Sequence, residues 1–162
     1  DSEVVSAMKE QVEYLSSAML EGRKAGSEGE REAAAYVSDM LSSYGLEVLS
    51  GEDGDVFGLR QENGDTLRSR NVLAYIPGYD PNLRDHYIVI GARLDNFGTS
   101  EIMVDGVKRR TIYYGANGNA SGLAMLMQLA RKLKTNSVLL RRSVIVAAFR
   151  VMVFSEQVIC RG

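Results

Sequence analysis

Residues 115–124 read G-A-N-G-N-A-S-G-L-A, and R-R-S-V-I-V-A-A-F follows at residues 141–149. Between these two stretches, apolar residues recur at intervals of three and four, which predicts a helix with one buried face. That face comprises Leu123, Leu126, Met127, Ala130 and Leu133. The run 143–149 is apolar after Ser143, as expected for a strand buried on both faces. A loop, a helix and a buried strand in this order predict an α/β unit.

Two further helices are predicted upstream. The first covers residues 5–19. The second lies between a glycine-rich loop, E-G-R-K-A-G-S-E-G at residues 21–29, and Gly45, which sits where a helix C-cap glycine belongs. In each segment the apolar spacing predicts one core-facing side. The core-facing residues are Val5, Met8, Val12, Leu15 and Met19 in the first helix, and Ala33, Val37, Met40, Leu41 and Tyr44 in the second.

Strands are predicted in the middle of the chain. Asn63-Gly64 and Asp105-Gly106 each separate two extended runs, which is typical of β-hairpins. Residues 87–92, Y-I-V-I-G-A, form a second continuous apolar run and predict another strand buried on both faces. The pattern as a whole predicts an α/β fold, a three-layer sandwich in which a central mixed β-sheet is flanked by helices.

Composition and charge exclude several classes of protein. The 162 residues suffice for one domain with its own core, and a net charge of -2 gives no reason to expect nucleic acid or an anionic membrane as partner. The apolar stretch at 143–154 is too short to span a bilayer. The single cysteine, Cys160, excludes a disulfide framework and is expected to be a free thiol. The chain starts at Asp1 without a signal-like segment, so a mature or trimmed form is expected.

Three segments, in this order, resemble the zinc-dependent aminopeptidase family, whose relatives include glutamate carboxypeptidase, glutaminyl cyclase, the transferrin receptor ectodomain and nicastrin. They are the loop and helix at 21–44, V-I-G-A-R-L-D at 89–95, and the segment 115–149. The resemblance covers nearly the whole chain but only about the first half of a family domain. It implies a single truncated domain, residues 1–162, with a zinc-peptidase-like fold.

The resemblance also identifies the positions where zinc ligands are expected. The family pattern at the second segment is G-A-H-x-D, in which the histidine binds zinc and the aspartate orients the site. Here these positions hold Arg93 and Asp95. At the third segment, the pattern G-A-[DN]-D-N-x-S-G contains the carboxylate that bridges two zinc ions. Here that position is Gly118, between Asn117 and Asn119.

The family's acidic pair, which supplies the general base and another ligand, follows the last strand. In this chain Met152 and Val153 occupy those positions, and Glu156 reaches them only through an insertion. Zinc requires imidazole, thiolate or carboxylate ligands, whereas arginine offers no acceptor and glycine no side chain. We therefore predict no zinc cofactor, no metal ligand and no catalytic residue among the aligned positions.

Two functions fit this sequence. The first is a non-catalytic pseudo-peptidase, or a fragment of one, with a binding or scaffolding role toward a peptide or protein. The alternative is an active zinc-dependent exopeptidase, an aminopeptidase, whose missing ligands come from another chain or from Asp95, Asn119 and Glu156.

Some single residues allow two interpretations. The Arg93 guanidinium is expected either to pair with Asp95 or another carboxylate, or to replace the positive charge of the metal. His86 is expected at a strand edge or in a loop rather than as a ligand. The Asn119-Ala120-Ser121 sequon is expected to cap the third helix rather than to carry a glycan.

The chain ends soon after the apolar run at 143–149, so this strand is expected to form an exposed sheet edge. Exposed edges recruit further strands. This predicts self-association through residues 144–149, or coverage of that edge by the tail at 151–159. Relatives of the family are commonly exported, so the resemblance favours a periplasmic or secreted location.

Overall fold

The computed structural model describes residues 2–51, 54–60 and 63–150. The helices are α1 (Ser2–Leu15), α2 (Glu28–Ser43) and α3 (Ser121–Thr135). The strands are β1 (Glu47–Val48), β2 (Asp55–Arg60), β3 (Thr66–Ile76), β4 (Ile88–Arg93), β5 (Thr99–Val104), β6 (Val107–Ile112) and β7 (Val144–Phe149). No helix in this part of the chain is long and apolar enough to cross a membrane.

The predicted α/β fold with a mixed sheet is confirmed. The main sheet has the strand order β1-β3-β7-β4, and β2 pairs with β3. The β7 strand is antiparallel to β3 and parallel to β4. Both predicted hairpins are present, because β2 and β3 pair around Asn63-Gly64, and β5 and β6 pair around Asp105-Gly106. The β5–β6 hairpin forms a separate two-stranded sheet.

The prediction that β7 forms an exposed edge is wrong. The two neighbours of β7 both precede it in the sequence, so it does not depend on later residues for its burial. Instead β4 has only β7 as a neighbour within the described residues. The expected burial of residues 87–92 on both faces is therefore also wrong, since Tyr87, Ile88 and Val89 are exposed. The tail at 151–159 lies outside the described residues.

The core lies between the helices and one face of the sheet. Residues that are in register on β3, β7 and β4, such as Val72, Ala148 and Ala92, point into it. Buried residues of α1, α2 and α3 complete the same cluster. The predicted face of α3 is confirmed, with Leu133 partly buried. The predicted face of α1 is correct only in part: Leu15 is buried and Val12 packs against the core, but the helix ends at Leu15, and both Val5 and Met19 are exposed.

Helix α2 fixes the position of the glycine-rich loop before it. At its start, the Ser27 hydroxyl accepts a hydrogen bond from the Glu30 backbone N–H, as N-cap serines do. At its end, Gly45 has φ +81°, and its N–H donates to the Ser42 carbonyl, while the Leu46 N–H donates to the Leu41 carbonyl. This pair of bonds is a Schellman motif, so the expected C-terminal glycine is confirmed.

Candidate functional site

The candidate site lies at the carboxyl ends of the parallel strands β4 and β7. Arg93, the last residue of β4, is in register with Phe149, the last residue of β7. In open α/β sheets, ligands bind in the crevice outside this end of the strands. The loop at 115–120, which precedes α3, and the glycine-rich loop at 21–29 border the same region.

Arg93 contacts Gly118, the position at which the family resemblance implies the bridging carboxylate. Its Nη2 donates a 3.0 Å hydrogen bond to the carbonyl oxygen of Gly118. A Cβ atom placed on Gly118 would have this Nη2, at 3.9 Å, as its nearest neighbour. The guanidinium group of Arg93 therefore lies beside the space that a side chain at position 118 would enter.

Asp95 lies between two arginines. Its Oδ1 is 3.9 Å from Arg93 Nε, and its Oδ2 is 3.6 Å from Arg150 Nε. Both distances allow ion pairing but are longer than hydrogen bonds. The Arg150 backbone N–H donates to Asn71 Oδ1 on β3, which fixes the chain where it leaves β7. Asp95 is thus held within a positively charged environment.

Asn117 and Asn119 have different environments in the loop before α3. Asn117 is exposed, whereas the side chain of Asn119 lies against Gly122, where an added Cβ would approach its Oδ1 to 2.3 Å. The prediction that this sequon caps α3 is wrong, because the N-cap is Ala120 and no side chain makes a capping bond. A kinked segment, Ala116–Ala120, in which Gly118 and Asn119 have non-helical backbone angles, leads into α3, and the Ala120 backbone N–H donates to the Gly115 carbonyl.

Arg23 is the largest fully buried side chain of the described residues, and it lies beneath the site. It donates four hydrogen bonds to backbone carbonyls: those of Leu94, Leu15, Tyr114 and Gly115. Its pKa is lowered to about 10, first by burial and then by the positive charge of Arg93, while Asp95 acts in the opposite direction. Arg23 therefore joins the end of α1, the residue that follows β4 and the loop at 114–115, and it adds positive charge to the site.

Glu30 is a buried carboxylate that supports the same loop. It accepts hydrogen bonds from the Gly26 backbone N–H and from the Ser69 hydroxyl. Burial raises its pKa above the ordinary glutamate value, and Asp95 acts in the same direction, whereas both hydrogen bonds and Arg70 oppose the shift. The folded chain therefore favours protonation of this carboxylate more than the unfolded chain does.

The raised pKa of Glu30 predicts a pH effect on stability. Between the ordinary glutamate pKa, about 4.3, and the higher folded value, the folded state keeps a proton that the unfolded state has lost. The free energy of unfolding should therefore fall as the pH rises through this window. In Glu30→Gln this part of the fall should disappear, as measured by urea unfolding at a series of pH values. The exposed Glu10→Gln serves as control, and parallel curves for Glu30→Gln and the wild type would contradict the assignment.

The described residues do not fit a zinc ion. They contain no group of three or more histidine, cysteine, aspartate or glutamate side chains that could hold a metal. At the expected ligand positions, a guanidinium cation and a glycine take the place of imidazole and carboxylate. A metal cation beside Asp95 would also face the positive charges of Arg93 and Arg150.

The remaining predicted residues lie elsewhere or outside the description. His86 is exposed at the end of a turn before β4, as expected for a loop histidine. Met152, Val153 and Glu156 lie outside the described residues, as does Cys160. Sequence reasoning did not single out Arg23 or Arg150. Arg150 had a visible signal, since it is the only charge within the apolar stretch at 143–154.

Solved structures with a similar fold include glutaminyl cyclases and a Zn-dependent exopeptidase. A glutaminyl cyclase from Tannerella forsythia has a TM-score of 0.64 at 17% identity over 90% of this chain and 46% of its own. A Zn-dependent exopeptidase from Parabacteroides distasonis has a TM-score of 0.65 at 18% identity, with the same coverage. A leucine aminopeptidase precursor from Bacteroides thetaiotaomicron has a TM-score of 0.65 at 19% identity, again with the same coverage.

The chain spans about half the length of these structures, and at such identities the likeness shows the fold alone. No curated protein matches the sequence. Residues 71–151, half of the chain, match the sequence model of peptidase family M28. The chain belongs to peptidase family M28. The resemblance inferred from the three motifs is thereby confirmed.

Proposed function

We propose that this chain is a non-catalytic member of peptidase family M28 that binds a ligand at the former metal site instead of hydrolysing a peptide there. The observation that carries the proposal is the contact between Arg93 and Gly118. The two positions where the family resemblance implies a zinc ligand and the bridging carboxylate are adjacent, and they hold a cation and an open space.

The surrounding charges support this proposal. A catalytic zinc site keeps at least three protein ligands and an open position for water. Here Asp95 is engaged with Arg93 and Arg150, and Arg23 adds a third guanidinium below. Without a metal to lower the pKa of water, peptide hydrolysis would also lack a nucleophile at neutral pH. Arg93 can instead supply a fixed positive charge and hydrogen-bond donors.

Metal content after incubation with zinc and removal of the excess tests the proposal. We expect elemental analysis to give zinc far below one equivalent per chain, and no release of product from aminoacyl chromogenic substrates. The Zn-dependent exopeptidase from Parabacteroides distasonis, treated identically, is the positive control for loading. Stoichiometric zinc on this chain would overturn the proposal.

The alternative is an active exopeptidase whose ligands are completed by another chain. It predicts zinc-dependent turnover that is abolished by Asp95→Ala, because this is the carboxylate nearest to Arg93 at the site. Turnover that survives both chelation and this substitution would exclude the site as its source.

A further inference from the structure

From the environment of Arg93 we propose that the ligand is a carboxylate next to an apolar or aromatic side chain, as at the C-terminus of a peptide. This inference rests on the proposed function, because it requires that Arg93 and not a metal provides the positive charge. It concerns Arg93 and two aromatic residues beside it, Phe97 and Tyr113.

No carboxylate of the described residues accepts a hydrogen bond from Arg93, although Asp95 lies within ion-pair distance. Its only described ion pair, with Asp95, has a separation of 3.9 Å, and its buried Nε has no hydrogen-bond partner in the described part of the chain. Arg141, at the opposite end of β7, shows the contrast. Its Nε and Nη2 both donate to Asp80 Oδ2, at 2.9 and 2.7 Å. The fork of Arg93 is thus held in place by Gly118 while most of its donor capacity remains.

The side chain of Arg93 is accessible to a ligand but is not fully solvated. Its side chain is 28% exposed, between the values for a buried and a surface arginine. A partly desolvated guanidinium binds a carboxylate more strongly than an exposed one, because water competes less. The buried charge of Arg23, which is close enough to be affected by Arg93, adds to the positive potential that an anion would meet.

Two aromatic side chains, Phe97 and Tyr113, form an aromatic wall beside this charge. The guanidinium carbon of Arg93 lies 6.0 Å from the centre of the Phe97 ring. Phe97 contacts Tyr113 edge-on at 5.9 Å, and the two side chains are 70% and 42% exposed. Exposed aromatic rings next to an arginine offer apolar contact area at low entropic cost. A ligand that carries both a carboxylate and an apolar group satisfies both features.

Calorimetric titration with matched pairs of compounds tests the inference. N-acetylphenylalanine and acetyl-Gly-Gly-Phe carry the carboxylate, and their C-terminal amides are neutral isosteres. We expect each acid to bind the wild-type chain at least about tenfold more tightly than its amide, since a hydrogen bond to a charged acceptor is stronger than one to a neutral acceptor. A stronger preference for the tripeptide would identify a peptide terminus, and equal affinity a free N-acyl amino acid.

Two substitutions separate the site from general charge effects. Arg93→Gln should weaken binding of the acids about tenfold while leaving the amides unchanged. The exposed Arg142→Gln, at the far end of β7, removes the same charge and should leave both affinities unchanged. Equal affinity of the wild-type chain for acid and amide would overturn the inference, as would equal losses in the two variants. If zinc loading fails and the acids show no preference, only this inference fails and the proposed function stands. Stoichiometric zinc defeats both.

Discussion

Arg23→Met should lower the free energy of unfolding by about 3–5 kcal/mol, because each buried carbonyl that loses its hydrogen-bond donor costs about 1–3 kcal/mol. Four backbone carbonyls, of Leu15 in α1, of Leu94 directly after β4 and of the loop at 114–115, accept hydrogen bonds from this one guanidinium. Methionine fills a similar volume but leaves these acceptors without a donor, and the bonds to Leu15 and Leu94 are buried away from water. Urea unfolding at neutral pH, followed by circular dichroism, measures the loss.

Two comparisons make this expectation specific. Arg142→Met removes an exposed arginine, and its effect should stay within about 0.5 kcal/mol. Arg23→Lys keeps the charge but offers a single nitrogen, which cannot reach carbonyls that surround a planar fork. It should therefore recover only part of the loss. If Arg23→Met unfolded at the same urea concentration as the wild type, the four hydrogen bonds would carry no net stability.

Local signals in the sequence were sufficient to predict most helices and hairpins. The Asn63-Gly64 and Asp105-Gly106 pairs predicted both hairpins, because these turns require residues that tolerate positive φ. Gly45 marked the end of α2 for the same reason, with φ +81°. These features depend on a few neighbouring residues, so the sequence pattern contains nearly all the information that determines them.

The order of strands could not be obtained in this way. Two apolar runs, at 87–92 and 143–149, look alike in sequence, yet the second is central and the first lies at the edge of the described sheet. Strand neighbours are chosen by long-range packing, and a run of apolar residues indicates only that burial would be favourable. The wrong prediction of an exposed edge at β7 arose here, because the sheet was assumed to end at its last strand.

The candidate site, too, could be predicted from the sequence only in part. The resemblance to a family predicted that Arg93 and Gly118 belong to the same site, each at the position of a different metal ligand, and the structure brings them into contact. It did not indicate how the excess of positive charge is tolerated. Arg23 is surrounded by backbone carbonyls, which carry partial negative charge and cannot be recognised from a sequence pattern. The loop at 21–29 is thus an integral part of the site, although none of its residues aligns with a zinc ligand.

Because the loop at 21–29 packs closely against its neighbours, Gly22→Ala should also lower the free energy of unfolding strongly. Gly22 has φ +73°, and an added Cβ would lie 2.4 Å from the Gly98 carbonyl oxygen and 2.7 Å from that of Tyr113. Left-handed backbone costs an alanine roughly 1–2 kcal/mol, and overlap with two fixed carbonyls adds about 1–3 kcal/mol. We expect a total loss of about 3 kcal/mol in urea unfolding.

Gly106→Ala is the matched control, since Gly106 has φ +77° and nothing lies within 4 Å of an added Cβ. This variant should lose only the backbone contribution, roughly 1–2 kcal/mol. Because Gly98 and Tyr113 flank the β5–β6 hairpin next to the aromatic wall, Gly22→Ala should also weaken binding of N-acetylphenylalanine, whereas Gly106→Ala should not. Equal losses of stability in the two variants would mean that the loop can move away from the hairpin. In that case, something other than the close packing of the glycine-rich loop would hold Arg23 and the aromatic wall in position.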